Sequence, residues 1–387
     1  MQIVYTGENL PKKIVKSIFL AGPTPRSKET NSWRPEALRI LEEKGFNGTV
    51  FVPEFRNRDK EYADDMEENT ISWEEQALNM ADCILFWIPR DLKTMPAFTT
   101  DVEYGEWFKS GKIVLGAPKN APKMSYLLKR GQKYYIPQAT TLENTIDMAL
   151  AMIGNGALRV EGECQIPLHI WKTGSFQSWY QAQIQAGNRL HSAKAEWVFR
   201  VGPKKQIFFI WILHVDIYIT AEERHKTNEV VIGRPDISTV ALYIRADDIM
   251  DSDIVLIKEF CSPAATADGY VWEPPGGSSI KGEYDPRKLA VDEVFEETGL
   301  KISPDRIIFN GARQIYGTLL SHKAFLFSAE ITRNELDWLI SQIGIVHGVE
   351  KDTERTYVEI VKLRDILSQE LVDWSALGML FAALTKK

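Results

Sequence analysis

The first 157 residues alternate short apolar runs with segments of helical periodicity. The apolar runs SIFLA (17–21), TVFVP (49–53), CILFWIP (83–89) and KIVLGAP (112–118) are typical of strands. CILFWIP is apolar on both faces, which is typical of a strand in the centre of a parallel sheet. Because strand and helix patterns alternate, we expect a parallel sheet with helices on both faces.

Polar residues at the ends of the helical segments predict where the helices begin and end. Two pairs have the spacing of a capping box, in which a Ser or Thr precedes a Glu by three positions. A helix is also expected over 101–111, ending at a glycine. The expected caps are Ser32 for the first helix, Ser72 with Glu75 for the second, and Thr140 with Glu143 for the last.

After the segment GNGALRVEGE (154–163) the pattern changes to longer strands, among them IFFIWILHVDIYI (207–219). A strong helix over 286–298 interrupts them, and another closes the chain. The sequence therefore predicts two domains. The first is a parallel α/β domain over 1–157, and the second is an α+β domain over 158–387 that begins with a β extension.

Composition narrows the classes of function. The formal net charge of −7 argues against a nucleic-acid binder. The three cysteines are far apart and form no CxxC, and none of the six histidines has the spacing of zinc ligands. The first residues lack a signal-peptide pattern, and the apolar run 207–219 is too short for a bilayer. We expect a cytoplasmic protein without a membrane partner.

Three glutamates on the helix over 286–298 are candidates for metal ligands. Glu293, Glu296 and Glu297 are spaced so that they share one helical face, where their charges repel. A hard cation such as Mg²⁺ or Mn²⁺, bound through oxygen ligands, would relieve this repulsion. The alternative is a solvated acidic face. Asp285 is the expected N-cap of the helix and Gly299 its end.

This segment resembles the Nudix box, GX5EX7REUXEEXGU, in which U is apolar. Gly277 and Glu283 fit the first spacing, and residues 293–300 fit the end. Eight residues instead of seven follow Glu283, and Asp292 stands where the family has an arginine that orients the glutamates. Arg287 is a candidate to replace that arginine. WEPPGG (272–277) and IVLIKEF (254–260) point to the ADP-ribose pyrophosphatase branch.

The Nudix resemblance implies a Nudix fold for the C-terminal domain and metal-dependent hydrolysis of a nucleoside diphosphate linkage. It implies that Glu293, Glu296, Glu297 and Gly277 hold Mg²⁺ or Mn²⁺, with Glu297 in the catalytic centre. An acidic residue in a loop before a late strand often assists in that branch, and Glu354 is the candidate. The alternative for Glu354 is a solvated loop position.

A second set of candidates lies in the N-terminal domain. The first strand is followed by a glycine loop, and ligands of open α/β sheets bind at that edge. Glu103 is expected in the first turn of its helix, where the helix dipole favours an anion. A carboxylate there can attack an anomeric carbon. The alternative is a glutamate that only stabilises the helix.

Thr100, Glu103 and Gly105 match the motif of the nucleoside 2-deoxyribosyltransferase family, which this region resembles. The resemblance implies a flavodoxin-like fold and a covalent glycosyl intermediate on Glu103. It also implies that Glu74, eight positions before Asp82, helps hold the sugar or the base. Two family residues are absent: Ala97 replaces an aspartate, and Phe19 replaces a tyrosine.

Other residues are candidates for substrate contacts. Gly22, Pro23 and Arg26 belong to the glycine loop or lie beside it, and Thr100 and Gly105 flank the expected nucleophile. Trp179 could stack on a base. Trp33 and Arg34, near the same loop as Arg26, could contact a phosphate or stack on a base. For these residues and for Trp179 the alternative is packing.

These features together predict a bifunctional enzyme that acts on small nucleosides or nucleotides. One domain would break or exchange an N-glycosidic bond, and the other would hydrolyse a diphosphate linkage with Mg²⁺ or Mn²⁺. Two alternatives stay open. One is a nucleotide sensor or scaffold with a Nudix domain that does not hydrolyse, and the other is an enzyme that consumes NAD or ADP-ribose. We also expect a homo-oligomer, because related enzymes of both kinds commonly assemble.

Overall fold

A computed structural model describes residues 1–27, 29–57, 68–279, 284–349 and 353–386. The chain packs as two compact units, Met1–Gly233 and Arg234–Lys387. Residues 158–233 therefore belong to the same compact unit as the N-terminal residues. The domain boundary at 157/158 stays a prediction. Glu283, an expected residue of the glycine-rich loop, lies outside the described residues.

The first unit contains a parallel sheet of six strands in the order β1-β4-β3-β5-β6-β7. Strands of this sheet alternate with helices along the chain, which is an α/β fold, as the alternating sequence pattern predicts. The strands are β1 (Gln2–Tyr5), β2 (Lys13–Ile14), β3 (Ser17–Ala21), β4 (Thr49–Val52), β5 (Cys83–Trp87), β6 (Ile113–Gly116), β7 (Gln138–Ala139) and β8 (Arg159–Val160), of which β2 and β8 pair with each other. The helices are α1 (Arg34–Glu43), α2 (Glu68–Met80), α3 (Phe98–Trp107), α4 (Ser125–Lys133) and α5 (Leu142–Ile153).

Helices cover both faces of the parallel sheet. Successive strand residues point to opposite faces, so neighbouring residues belong to different cores. Phe19 belongs to the core shared with α2, α3 and α4, which contribute among others Trp73 and Tyr104. Its neighbour Leu20 belongs to the core shared with α1 and α5, which contribute Ala37 and Ile146. The uninterrupted apolar runs of the sequence follow from this double burial.

A three-stranded antiparallel sheet completes the first unit. Its strands are β9 (Arg189–Val201), β10 (Ile207–Ile219) and β11 (Arg224–Gly233), in the order β11-β10-β9. Helices α6 (Leu168–Trp171) and α7 (Gly174–Gln185) cover one face. Alternate residues of β10, such as Trp211 and Val215, pack there against Phe176 and Trp179. The run 207–219 is a strand, as predicted.

The second unit is a mixed sheet in the order β16-β17-β12-β13-β19-β18, to which β14 and β15 add. Its strands are β12 (Ile237–Ile244), β13 (Asp253–Phe260), β14 (Tyr270–Glu273), β15 (Gly276–Gly277), β16 (Ile308–Gln314), β17 (Lys323–Glu330), β18 (Val346–His347) and β19 (Thr356–Lys362). Its helices are α8 (Pro286–Thr298), α9 (Arg333–Ile340), α10 (Leu363–Ser368) and α11 (Trp374–Thr385). Val294 of α8 and Leu339 of α9 pack on one face of the sheet, and Ile366 of α10 and Leu380 of α11 pack on the other.

Several expected helix ends agree with the structure and others do not: α1, for example, has Trp33 and not the predicted Ser32 at its N-cap position. The Asp285 side chain accepts a hydrogen bond from the Arg287 backbone, and Gly299 ends α8 with a φ of 74°. The predicted capping box at Ser72 is wrong, because α2 already begins at Glu68. The cap of α5 is Thr141, one residue later than predicted.

Asp82, the reference point for Glu74 in the sequence, has a structural role. Its carboxylate is buried with the Arg159 guanidinium at 2.7 Å, and it accepts a hydrogen bond from the Ser17 backbone at 2.9 Å. Both charged groups are thereby satisfied inside the unit, as buried ions require. Asp82 thus ties the start of β3 to the end of α2 and to β8.

No helix among the described residues combines the length and the apolar character needed to cross a membrane.

Candidate active site

The first unit has a topological switch at β3, where the chain continues to β4 on one side and to β5 on the other. The loop after β3 carries Gly22 and Pro23, and the loop after β5 leads into α3 and Glu103. In open parallel sheets the crevice between such diverging connections is the usual place for a ligand. The predicted glycine loop and the predicted nucleophile therefore follow the two strands at the switch.

Gly22 is required by the close packing of its loop. Its φ is +156°, and a Cβ atom there would lie 2.2 Å from the Trp87 carbonyl oxygen and 2.7 Å from the Trp33 ring. Trp33 in turn donates a hydrogen bond to the Pro23 carbonyl. The glycine thus lets the loop after β3 lie directly against the end of β5.

Arg34, expected from the sequence to contact a phosphate or a base or else to pack at the surface, is buried beside the loop after β3. Only 1% of it is exposed, and its guanidinium donates to the carbonyl oxygens of Leu20 and Gly22 and to the carboxylate of Glu54. Glu54 also accepts a hydrogen bond from the Ser32 hydroxyl. This buried ion pair fixes the loop after β3 to the chain that follows β4.

Glu103 and Glu74 form the acidic part of the site. The pKa of Glu103 is raised to about 8. Burial is the main cause and the charge of Glu74 adds to it, whereas the charge of Arg34 acts in the opposite direction. Burial also raises the pKa of Glu74, again against the effect of Arg34. Two carboxyl groups and one guanidinium thus influence one another at one place, which is typical of functional sites.

The expected reason for the reactivity of Glu103 is wrong. Helix α3 begins at Phe98, three residues before the predicted start, so Glu103 lies in the second turn and Asp101 in the first. Asp101 is paired there with Arg90. Burial and the neighbouring carboxyl therefore set the pKa of Glu103, and they raise it, whereas the helix dipole would lower it.

The residues around Glu103 differ in accessibility. Thr100 is buried, with 3% of its surface exposed, whereas Gly105 is exposed and a Cβ atom there would meet nothing within 4 Å. Neither the packing nor the conformation of Gly105 demands a glycine. Arg26 lies over the Phe98 ring at 5.5 Å, beside the first turn of α3. Arg26 therefore lies beside the N-terminus of α3. Thr100, in the first turn of the same helix, is buried.

Trp179 is not exposed for stacking on a base. It is 9% exposed and packs with Phe176, Tyr180 and Trp211, whose ring centroids lie within 6.3 Å of its own. The prediction of a substrate contact is therefore corrected, because this ring belongs to the aromatic core beneath the antiparallel sheet. Packing was the alternative that the sequence left open for this residue, since large aromatic side chains usually fill cores.

A second acidic site lies in the second unit, where β15 meets α8. The buried Glu297 accepts a hydrogen bond from the Gly276 backbone at 2.8 Å. Its pKa is well above the usual range because of burial, with a further increase from the charge of Glu293. A Cβ atom on Gly277 would lie 2.5 Å from a carboxylate oxygen of Glu293. The glycine pair thus lets both carboxyl groups approach the backbone closely.

The third glutamate of the helix, Glu296, is exposed, so the three residues do not share one degree of burial. The pKa of Glu293 is raised to about 7, mainly by burial and in addition by the charges of Glu296 and Glu354. Glu354 also raises the pKa of Glu297, which places its carboxylate beside the cluster, although it accepts a backbone hydrogen bond from Val349 as well.

Two further acids join this cluster, and the sequence pattern did not single them out. Burial raises the pKa of Glu273 to about 7, helped by the charge of Glu259. The pKa of Glu259 is raised by burial and by Glu354. Both residues lie on neighbouring antiparallel strands, β14 and β13, so only the pairing of the strands brings them to the helix.

The residues that depart from the expected box have other partners. Asp292 accepts a hydrogen bond from the Tyr284 hydroxyl. Arg287 donates to the carbonyl oxygens of Pro304 and Ile307 and lies over the Phe327 ring at 5.4 Å. The suggestion that Arg287 orients the glutamates is therefore wrong, since it fastens the chain that follows α8.

The donor set of this acidic site fits a hard divalent cation. It offers carboxylate oxygens whose raised pKa values reflect uncompensated charge, and a cation would compensate that charge. In the parts of the chain that the structure describes, the tightest group of candidate ligand atoms lies elsewhere, on β9–β11.

Comparison with known proteins bears on the first unit. The family described as nucleoside 2-deoxyribosyltransferase like matches residues 15–121, which include β3–β6 and α1–α3 with Glu74 and Glu103. Residues 15–121 of the chain are therefore similar to nucleoside 2-deoxyribosyltransferases. No curated protein matches the chain.

Proposed function

We propose that the first unit breaks or exchanges the N-glycosidic bond of a deoxynucleoside or deoxynucleotide through Glu103. The observation that carries this proposal is the position of Glu103, after the strand at the topological switch and beside Glu74 and Arg34. Leaving β1 aside, the strand order is that of a flavodoxin-like sheet, which supports the finer assignment of the fold. The family match over 15–121 supports the type of chemistry.

In the proposed reaction a carboxylate oxygen of Glu103 attacks the anomeric carbon of the sugar. An ester bond forms to Glu103, the bond between the sugar and the base breaks, and the leaving base takes a proton from water. A second base or a water molecule then attacks the same carbon and releases the Glu103 carboxylate. Glu74 acts as a positioning residue for the sugar or the base, and the guanidinium of Arg34 stabilises the ionised form of Glu103.

The pH dependence of base release tests this assignment. Because only ionised Glu103 can attack, and its pKa in the free protein is about 8, kcat/KM is expected to rise about tenfold per pH unit below that value and to level off above it. The measurement is release of free base from a deoxynucleoside panel over roughly pH 5–9. A flat profile below pH 8 would contradict the role of Glu103.

Two substitutions sharpen the same experiment. Glu74→Gln removes the charge that raises the pKa of Glu103, so the midpoint of the profile is expected to move to lower pH. Glu106→Gln is the matched control on the exposed side of α3, because Glu106 contributes the smallest of the effects on Glu103. A larger shift for Glu106→Gln than for Glu74→Gln is the result that argues against this electrostatic arrangement.

For the second unit we infer a Nudix-like domain that hydrolyses a nucleoside diphosphate linkage with a divalent cation. The supporting observation is the contact of the Gly276–Gly277 pair with Glu297 and Glu293, at the start of a mixed sheet covered by helices on both faces. When bound, Mg²⁺ or Mn²⁺ would neutralise the diphosphate and lower the pKa of a bound water.

The protein's own contribution in that unit is to hold the carboxylates ready for the cation. Glu293 and Glu297 are its proposed main ligands, with Glu296 and Glu354 close to it. ADP-ribose with Mg²⁺ is the first substrate to test, with release of AMP as the readout. Tight binding of ADP-ribose without turnover would instead favour the sensor, and nicotinamide release from NAD by the first unit would favour the NAD-consuming alternative. The proposed homo-oligomer is tested by light scattering.

A further inference from the structure

A cluster of two histidines and an aspartate lies on the antiparallel sheet of the first unit, outside both acidic sites. His191, Asp216 and His225 each place one candidate ligand atom within 4.8 Å of the others. Among the described residues this is the group of three or more His, Cys, Asp or Glu side chains that meets the geometry of a metal site. Nδ1 of His225 lies 2.9 Å from an Asp216 carboxylate oxygen, and the two histidine rings are 4.6 Å apart.

Two irregularities in strand pairing bring these side chains together. β9 shifts register between Asp216, which faces Ser192, and Ile217, which faces Leu190, so His191 is the extra residue of a bulge. β11 shifts register against the same part of β10. A bulge turns a side chain away from its regular direction and is frequent at functional sites.

The alternation along β10 decides which way Asp216 faces. Its neighbours Val215 and Ile217 are buried in the aromatic core beneath the sheet. Asp216 therefore points to the opposite face, where its side chain is 15% exposed, while His191 and His225 are exposed. Asp216 therefore does not pack in the core beneath the sheet. The side chains of the two exposed histidines can rotate towards a ligand.

The cluster borders a cavity of about 540 Å³. His191 and His225 line it together with Arg189, Tyr218, Lys12 and Glu161. Tyr218 lies against the His225 ring with a centroid distance of 5.1 Å, which restricts one side of that imidazole. A small molecule in the cavity would reach the side of the cluster that the protein leaves open.

We propose that His191, Asp216 and His225 bind a borderline divalent cation, Zn²⁺ or a similar ion, with one coordination position open to the cavity. Imidazole nitrogen and carboxylate oxygen are common ligands of zinc, and three protein ligands leave a fourth tetrahedral position free. At metal–ligand distances of about 2.0–2.1 Å, tetrahedral ligand atoms lie about 3.4 Å apart. The ligand atoms of the cluster lie within 4.8 Å of one another, and small rotations of the exposed histidine side chains would bring them to the tetrahedral spacing.

This site differs from the proposed Mg²⁺ or Mn²⁺ site in its chemistry. Two nitrogen ligands favour zinc over magnesium, whereas the carboxylate cluster beside α8 favours the hard cations. The site is also independent of Glu103, because none of its three residues contributes to the pKa of that carboxyl. Its test can therefore succeed or fail regardless of either proposed reaction.

The experiment is calorimetric titration of the full chain with Zn²⁺ in the presence of excess Mg²⁺, which occupies oxygen-rich sites. We expect one tightly bound Zn²⁺ per chain, and with Co²⁺ the strong visible absorption of a four-coordinate site. His225→Gln and Asp216→Asn are each expected to weaken Zn²⁺ binding by about 100-fold or more, and His191→Gln to do the same. Each variant is first compared with the wild type by thermal unfolding without metal.

His214→Gln is the matched control. His214 lies two residues before Asp216 on β10, and its Nε2 atom pairs with the Thr227 carbonyl outside the cluster. The control is expected to bind Zn²⁺ as the wild type does and to keep the Co²⁺ spectrum. The proposal is overturned if the wild type binds no tighter than the His225→Gln variant, or if His214→Gln loses as much affinity as the cluster variants. In that case His225 and Asp216 form a hydrogen-bonded pair and nothing more.

Discussion

Replacing Glu103 by Gln is expected to lower the rate of base release from a deoxynucleoside by roughly 10⁴-fold or more, because the amide cannot form the glycosyl ester. The measurement is free base released per chain at about pH 9, above the Glu103 pKa of about 8, where the carboxylate of the wild type is largely ionised. Mass spectrometry of the denatured wild-type protein should in addition find a deoxyribosyl adduct on the peptide that contains Glu103.

Two controls accompany this result. Glu106→Gln, on the same helix but exposed, should retain base release, and Glu103→Asp should lose most of it because the shorter side chain withdraws the nucleophile. If base release survives in Glu103→Gln, the nucleophile is another group. If the adduct is found on a different residue, the assignment of Glu103 is equally contradicted.

The same variant gives a stability readout that distinguishes chemical loss from unfolding. The folded protein retains the Glu103 proton up to about pH 8, whereas the unfolded chain releases it near its ordinary value of 4.5. The wild type therefore loses stability as pH rises through that interval. Glu103→Gln removes the loss, so its free energy of unfolding should exceed that of the wild type by about 4 kcal/mol at pH 8 and by less than about 1 kcal/mol at pH 5.

Replacing Glu297 by Gln is expected to reduce hydrolysis of ADP-ribose by roughly 10³-fold, because it removes a buried ligand from the proposed cation site. The amide oxygen of Gln can still accept the hydrogen bond from Gly276, so the fold should persist. Without metal the variant should be more stable than the wild type at neutral pH, since burial and Glu293 disfavour the Glu297 carboxylate. Activity and thermal unfolding are measured with and without Mg²⁺.

Asp337→Asn serves as the control for the second unit, because Asp337 is an exposed acidic residue on a different helix, α9. It should retain both hydrolysis and the stabilisation by Mg²⁺. Equal turnover by wild type and Glu297→Gln would exclude Glu297 from the chemistry. No turnover by the wild type, together with Mg²⁺-dependent binding of ADP-ribose, would identify a binding domain.

The sequence predicted the four central strands of the parallel sheet, β4, β3, β5 and β6, well because each of them is buried on both faces. β3 coincides with the predicted run 17–21, and β5 begins at Cys83 as expected. α8 begins after Asp285 and ends before Gly299, because capping side chains and glycine conformations are local properties. The start of α3 was missed, since its N-cap Ala97 has no side-chain cap hydrogen bond to signal it.

The candidate sites were predicted only as far as their residues lie close together in the chain. The Glu293–Glu297 group and Glu103 were found from spacing and motif. Arg34 was expected only as a contact near the first loop, because its buried ion pair arises from contacts with loops after two different strands. The group of His191, Asp216 and His225 was missed for a related reason. Bulges in strand pairing create it, and no sequence spacing encodes them.

Ala97 shows how this architecture could be altered. It precedes α3 with a φ of 65°, a left-handed conformation that costs most residues about 1–2 kcal/mol but that Asp and Asn adopt more readily. Aspartate is also the residue that the resembled transferases carry there. The backbone at this position therefore already suits an aspartate, and Ala97→Asp should be accommodated without rebuilding the loop.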